Sequence, residues 1–270
     1  MSILDAIILG LIQGLTEFLP VSSSGHLFLG QTLLGIEGKE NFLFTIIVHF
    51  ATALSTLVVF RKDILTIFKD LFKLKNNPGT RFSFLIVLSM IPAVLVGLTL
   101  EDILESMTAP ENQRMGLLIV GICLLFTAGL LYFSHKGKQG SQEVGVKHAI
   151  LVGLAQAIAT LPGISRSGAT IATGLLTGLT RDSAAKFSFL MVIPVIFGIM
   201  AKKTLDLIQG EEILEDINAG ALLAGFLAAF ISGWIACKWM IAIVRKAKLS
   251  YFAIYCLLIG CLSIGAFILN

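Results

Sequence analysis

Two stretches of this sequence share a pattern that decides the fold. Ala6–Gly25 reads AIILGLIQGLTEFLPVSSSG, and Ala149–Gly168 reads AILVGLAQAIATLPGISRSG. Aligned without gaps, they are identical at eight of twenty positions, including a glutamine (Gln13 and Gln156) and a closing Ser-x-Ser-Gly. In each, an apolar run leads into proline, glycine and serine, residues that end helices and form turns. Each stretch therefore predicts two short helices joined by a sharp break.

The composition indicates the surroundings of these units. Apolar residues make up 56% of the chain and charged residues 14%, whereas soluble domains average about 45–50% and about 25%. A net charge of +3 without a basic stripe excludes a nucleic-acid partner. The four cysteines lie in apolar stretches and form no CxxC pair, so we expect neither a zinc site nor a disulfide framework. Of the protein classes considered, the composition favours a polytopic membrane protein.

Six other apolar segments are long enough, or nearly so, to cross a bilayer, which takes about 20 residues. These segments are 43–60, 82–100, 114–133, 187–201, 218–237 and 251–269. Lysine and arginine are concentrated in alternate loops, above all in the loop 61–81, which predicts that these loops are cytoplasmic. The alternation holds only if the broken stretch 146–180 returns to the side from which it enters. The same logic places residues 1–42 outside. We therefore expect the first broken stretch, 3–35, to dip in from outside and the second to dip in from the cytoplasm.

We therefore predict an all-α polytopic integral membrane protein with six full spans and two re-entrant helix–loop–helix segments in an inverted-topology repeat. A second, shorter similarity, Arg81–Leu85 (RFSFL) with Lys186–Leu190 (KFSFL), is read as part of the same repeat. The predicted boundaries are one transmembrane domain, 1–270, with a first repeat at 1–133 that includes segment 3–35 and a second at 146–270 that includes segment 146–180.

Ionisable residues at membrane depth gather at the two breaks. Glu17 and His26 flank the first break, and Arg166 lies in the second. A buried charge is costly in a bilayer, so each is a candidate functional residue. The alternative, an ion pair that only locks the two repeats together, stays open. His49 has no polar neighbours in sequence and is interpreted as a helix-packing or interface residue.

The two breaks offer the groups that phosphoryl transfer needs. Gln13 and Glu17 are four residues apart and share a helix face, followed by Ser22–Ser24, of which Ser22 or Ser23 is expected to cap the next helix. The second break places glycine and serine backbone amides and the guanidinium of Arg166 at a helix start, which predicts a phosphate site. Such a set suits phosphoryl transfer. A transporter or flippase for phosphate or a lipid phosphate is the alternative, because inverted repeats with midplane sites are typical of transporters.

The chain resembles the undecaprenyl-diphosphate phosphatase family, also known as bacitracin-resistance proteins. Two motifs carry the resemblance: (Glu/Gln)-x-x-x-Glu followed by Pro-x-Ser-Ser-x-Gly-His, at Gln13–His26, and Pro-Gly-x-Ser-Arg-Ser-Gly-x-Thr, at Pro162–Thr170. Length and hydropathy agree over nearly the whole chain. The resemblance implies a membrane hydrolase that converts undecaprenyl diphosphate to undecaprenyl phosphate and inorganic phosphate. This reaction recycles the lipid carrier for peptidoglycan synthesis and confers bacitracin resistance.

The resemblance also implies the site residues and a cofactor. By motif position, the expected catalytic residues are Glu17, Ser23, His26 and Arg166. The expected phosphate contacts are Ser22, Ser24, Gly163, Ser165, Ser167, Gly168 and Thr170. A divalent cation, Mg²⁺ or Ca²⁺, is expected at Glu17 and Gln13, although Gln13 lacks the carboxylate that the family allows there, so the number of cations is open. Whether Ser23 or His26 is the nucleophile is also open.

The expected location is the bacterial plasma (inner) membrane, with the active site open to the external, periplasmic face. The expected partners are the lipid substrate and membrane lipids, and a homo-oligomer is left open.

Overall fold

A computed structural model describes residues 1–36, 40–73, 77–136, 140–209, 218–246 and 249–269. Within these ranges the chain is all-α, as predicted, and its only extended pairing is a single bridge between Gln142 and Leu179. The helices are α1 (Ile3–Phe18), α2 (Ser23–Leu34), α3 (Glu40–Val59), α4 (Arg61–Phe72), α5 (Pro78–Thr99), α6 (Glu101–Ser106), α7 (Gln113–Lys136), α8 (Val146–Ile158), α9 (Arg166–Leu176), α10 (Arg181–Gln209), α11 (Ala219–Arg245) and α12 (Ser250–Leu269), with a 3₁₀ turn at Pro110–Asn112.

The long apolar helices match the predicted spans. Five described helices are long and apolar enough to cross a membrane, namely α5, α7, α10, α11 and α12. The sixth predicted span, 43–60, corresponds to α3, which is followed by α4 after a bend of 77°. The predicted segment 187–201 was too short, because α10 continues into polar residues at both ends and runs from Arg181 to Gln209. The chain is thus an all-α polytopic membrane protein.

The predicted loop 61–81 contains a helix. α4 is amphipathic, with Leu65, Phe68 and Phe72 exposed beside its lysines. An ion pair between Asp63 and Lys186 joins α4 to the first turns of α10. Two of the cation-bearing segments therefore lie at the same end of the molecule, as the charge pattern predicts.

The segment 146–180 returns to the end at which it starts. Gln142, just before α8, donates its backbone N–H to the carbonyl oxygen of Gly178 at 3.1 Å and accepts from the N–H of Thr180 at 3.2 Å. Both partners lie just after α9. Neither α8, with 13 residues, nor α9, with 11, is long enough to span a bilayer.

The first broken segment folds back in the same way. α2 lies along α1, where Leu27 joins Ala6 and Leu9 in one buried apolar cluster. A Cβ at Gly30 of α2 would lie 2.9 Å from Cδ1 of Ile12, so the glycine lets the two helices approach. The two helices have 16 and 12 residues, again too short to span.

The two broken segments pack against different long helices in a related way. α1 packs along α11, and α8 packs along α5. The aligned glycines mark both contacts: a Cβ at Gly10 would overlap the carbonyl oxygen of Gly225 in α11, and one at Gly153 would overlap that of Ser89 in α5. An exchange of the two halves of the repeat replaces α1 with α8. It then also replaces α11, the long helix that packs on α1, with α5, the long helix that packs on α8, as a two-fold repeat requires.

This exchange corrects one interpretation. The similarity of Arg81–Leu85 with Lys186–Leu190 would make α5 and α10 equivalent, but the contacts make α5 equivalent to α11. This short match therefore does not mark equivalent helices of the repeat. The inverted orientation of the two halves in a membrane stays a prediction.

Candidate active site

The two breaks meet at Glu17, which is buried near the end of α1. Its Oε2 atom accepts hydrogen bonds from Nε2 of Gln13 at 2.9 Å and from Oγ of Ser23 at 2.7 Å. Its Oε1 atom forms an ion pair with Nη2 of Arg166, at the start of α9. One carboxylate thus connects α1, α2 and α9, and it pairs the charged residues that the sequence singles out in the two breaks.

The first break presents Ser23 at the beginning of α2. Ser22 caps this helix, and its Oγ accepts from the backbone N–H of Gly25 at 3.3 Å. The backbone of Ser22 has φ = 71°, a left-handed conformation that is strained for a residue other than glycine. The turn orients the next side chain, Ser23, onto Glu17.

The second break is held by α7. Gly163 has φ = 97°, and a Cβ there would lie 2.7 Å from both Cβ of Cys123 and the carbonyl oxygen of Val120. Oγ1 of Thr127 accepts from the backbone N–H of Ser165 at 3.1 Å. Ser165 in turn caps α9 by accepting from the N–H of Gly168 at 3.1 Å. The close contact with α7 and this cap fix the helix start that carries Arg166.

The two breaks also contact each other directly. Oγ of Ser167 donates to the carbonyl oxygen of Leu19 at 3.1 Å. A Cβ at Gly25 would lie 3.1 Å from Cα of Gly163. The breaks therefore cross at glycines, and the ion pair between Glu17 and Arg166 spans the crossing.

His26 lies one turn into α2. Its Nδ1 atom is 2.8 Å from the carbonyl oxygen of Ser22. Its Nε2 atom is 2.8 Å from the phenolic oxygen of Tyr255, on α12. Both ring nitrogens therefore have a partner, and neither partner is Ser23 or Glu17.

The hydroxyl groups predicted to contact phosphate differ in how accessible they are. Ser22, Ser165 and Thr170 are buried and are bonded within the protein, the first two as helix caps and Thr170 to the carbonyl oxygen of Arg166 at 2.8 Å. Ser24 is exposed and Ser23 is half-buried. The role of each in binding phosphate stays a prediction.

Several residues near the site were missed by the sequence analysis. Ser188 of α10 bonds with Thr170 at 2.6 Å between hydroxyl oxygens, and it lines a small cavity with Glu17 and Arg166. Thr127 and Tyr255 belong to α7 and α12. These three residues come from long apolar helices outside both motifs, where no local pattern marks them.

The oxygen atoms near Glu17 bear on the expected divalent cation. The amide of Gln13 has a defined orientation, because only its Nε2 can donate to the carboxylate. Its Oε1 is consequently buried without a hydrogen-bond partner among the described residues. The described part of the chain contains no group of three or more His, Cys, Asp or Glu that could hold a metal. Mg²⁺ commonly takes several of its ligands from substrate phosphates and water, so a cation held by Glu17 and Gln13 stays a prediction.

Comparison with known proteins agrees with the motifs. A family model described as bacitracin resistance protein BacA matches residues 6–262. An undecaprenyl-diphosphatase from Christiangramia forsetii is 53% identical over 262 residues, which cover 96% of each chain. One from Bacteroides thetaiotaomicron is 54% identical over 261 residues, covering 96% of this chain and 97% of the relative. One from Methanosphaera stadtmanae is 40% identical and covers 98% of each. This chain therefore belongs to the bacitracin resistance protein BacA family.

Proposed function

We propose that this protein is an undecaprenyl-diphosphate phosphatase, which releases inorganic phosphate and returns undecaprenyl phosphate for peptidoglycan synthesis. The observation that carries the proposal is the hydrogen bond from Ser23 to Glu17, whose carboxylate is also paired with Arg166. A transporter needs an anion site but no hydroxyl nucleophile beside a base. The names of the relatives agree with a phosphatase.

In this proposal Ser23 is the nucleophile and Glu17 is its base. The Ser23 hydroxyl already donates to Oε2 of Glu17, so its proton passes to the carboxylate as Oγ attacks the terminal phosphorus. The bond from this phosphorus to the bridging oxygen breaks, and undecaprenyl phosphate leaves. Water then hydrolyses the phosphoserine, restoring the hydroxyl and releasing phosphate. Arg166 stabilises the negative charge on the transferring group.

The structure favours Ser23 over His26 as nucleophile. A histidine nucleophile needs a ring nitrogen with an unoccupied lone pair, and both nitrogens of His26 are engaged, one by the Ser22 carbonyl and one by Tyr255. Trapping the phosphorylated intermediate tests the assignment. We expect an acid-stable phosphoserine, and an acid-labile phosphohistidine would contradict it.

A divalent cation, Mg²⁺ or Ca²⁺, would be held by Glu17 and by Oε1 of Gln13, the buried oxygen that lacks a partner among the described residues. When bound, it neutralises charge on the diphosphate. Glu17 itself interacts with both Arg166 and Ser23, so it orients the cationic and nucleophilic groups of the site.

We further propose that the site opens to the external face of the bacterial inner membrane. The cation-bearing segments α4 and the start of α10 lie together, which favours their assignment to the cytoplasm. Single cysteines test this orientation. A membrane-impermeant thiol reagent applied to intact cells is expected to label Glu111→Cys and not Lys62→Cys, in a background without Cys261. The reverse labelling would contradict the proposed orientation.

Phosphate release tests the function directly. The purified protein in detergent is given undecaprenyl diphosphate with Mg²⁺, Ca²⁺ or EDTA. We expect cation-dependent release that is abolished by Ser23→Ala and retained by Ser106→Ala, a matched change at an exposed serine outside both motifs. Release that survives Ser23→Ala and His26→Ala would place the reaction elsewhere, and no release from the wild type would contradict the proposal.

A further inference from the structure

The last helix, α12, supplies a side chain that neither motif contains. Tyr255 lies 229 residues from His26 in sequence, yet its phenolic oxygen is 2.8 Å from Nε2 of the imidazole. The two rings are also stacked, with centroids 5.5 Å apart and planes inclined by 13°. A hydrogen bond and a ring contact together restrict both the position and the tilt of the imidazole.

These contacts determine which nitrogen of His26 carries the proton. Nδ1 lies 2.8 Å from the carbonyl oxygen of Ser22, which can only accept, so Nδ1 must donate. In the neutral imidazole the lone pair is then on Nε2, where it accepts the O–H of Tyr255. The Ser22 carbonyl, which accepts, and the Tyr255 hydroxyl, which donates, together favour the tautomer of His26 with the proton on Nδ1.

The placement of Tyr255 follows from the packing of α12. The next residue, Cys256, is fully buried, and its thiol donates to the carbonyl oxygen of Pro20 at 3.6 Å. Two consecutive residues of α12 thus contact the first break. Tyr255 itself is 40% exposed, so its phenol is held by His26 and not by burial in a core.

We propose that Tyr255 is a positioning residue for His26. Tyr255 holds the imidazole in one orientation and one tautomer beside the phosphoryl-transfer site. The inference rests on the proposed function, because it assigns the partner of a residue at that site. Tyr255 acts through His26, and no bond to the substrate is assigned to it.

Tyr255→Phe tests the proposal because it keeps the ring and removes only the O–H group. Tyr251→Phe is the matched control, a tyrosine one turn earlier on the same helix and 66% exposed. Because His26 is one of the expected catalytic residues, we expect Tyr255→Phe to lower kcat about 10-fold, the effect of one hydrogen bond, with KM for undecaprenyl diphosphate unchanged. Tyr251→Phe should leave both constants unchanged. Equal kcat values for Tyr255→Phe and the wild type would contradict the proposal.

A spectroscopic measurement separates positioning from a general structural effect. The chain has four histidines, so the ¹⁵N signals of His26 can be assigned by their loss in His26→Gln. We expect one tautomer, with the proton on Nδ1, in the wild type and in Tyr251→Phe. Tyr255→Phe should add the other tautomer without lowering the melting temperature. A His26 spectrum unchanged by Tyr255→Phe would overturn the proposal. If the wild type released no phosphate, the proposed function would fail, while this spectrum would still test the contact.

Discussion

The two breaks have the same backbone plan and carry different chemistry. Each has a serine cap bonded to a glycine N–H, Ser22 with Gly25 and Ser165 with Gly168. The polar residues on either side of the caps differ. At the positions of Glu17 and Ser23 in the first break, the second has Thr160 and Arg166.

The aligned glutamines show the same division. Gln13 donates to Glu17, whereas Gln156 is 2% exposed, and both of its amide atoms lack a hydrogen-bond partner among the described residues. The first break therefore holds the acid and the hydroxyl, and the second contributes one cation. Charges of opposite sign on the two units lower the cost of burying each, because they pair where the breaks cross.

The largest expected effect distinguishes Glu17 from its counterpart Thr160. Glu17→Gln removes the base and leaves Arg166 without its counter-charge, so we expect phosphate release to fall about a thousandfold. Thr160→Val removes only a bond to the carbonyl oxygen of Ala157 and should leave the rate nearly unchanged. Release from undecaprenyl diphosphate measures both. If the two variants lost activity equally, the two breaks would not differ in chemical role.

The glutamines provide the second test. Gln13→Leu removes a hydrogen bond to a charged group, worth about 1.5–3 kcal/mol, so we expect a loss of activity of roughly 10- to 100-fold. It should also raise the Mg²⁺ concentration needed for half-maximal release. Gln156→Leu removes two buried polar atoms without partners, so its activity and melting temperature should not fall. A Mg²⁺ requirement unaffected by Gln13→Leu would argue against Oε1 of Gln13 as a ligand.

The aligned glycines test the packing on the long helices. Gly10→Ala and Gly153→Ala each place a Cβ against backbone of α11 or α5, so each should lower the free energy of unfolding by about 1–3 kcal/mol. Gly129→Ala is the control, because a Cβ there meets nothing within 4 Å. Thermal unfolding in detergent compares the three. If only one of the two variants, Gly10→Ala or Gly153→Ala, lost stability, the conclusion that α1 and α8 pack on their long helices in a related way would be contradicted.

The caps give the smallest expected effect. Ser22→Ala and Ser165→Ala should each cost about 1 kcal/mol of stability through loss of the cap. Glycine substitutions sharpen the comparison, since Ser22 has φ = 71° and Ser165 has φ = −73°. We expect Ser22→Gly to be more stable than Ser22→Ala, because glycine relieves the strained backbone at Ser22. The corresponding difference between Ser165→Gly and Ser165→Ala should be smaller, because the backbone of Ser165 is not strained. Equal gains from the two glycines would contradict this explanation.

Local sequence features predicted the fold class and the centre of the site. Apolar length located all of the spans, and the prolines and glycines near Glu17 and Arg166 located both breaks. The short similarity between Arg81–Leu85 and Lys186–Leu190 was misleading, because α8 packs on α5 as α1 packs on α11. The helix at Arg61–Phe72 was missed because its amphipathic pattern lies in a region rich in cations, which was read as a loop.

By itself, the sequence determined where the chain crosses the membrane, where it breaks, and which charged residues lie at the breaks. These properties depend on apolar runs and on turn residues that lie a few positions apart, so they can be read from the sequence directly. The tertiary structure decided that Arg166 pairs with Glu17 and that Tyr255 reaches His26. These contacts depend on how separate helices pack, since bonds between residues more than 100 positions apart leave no periodic signal in the sequence.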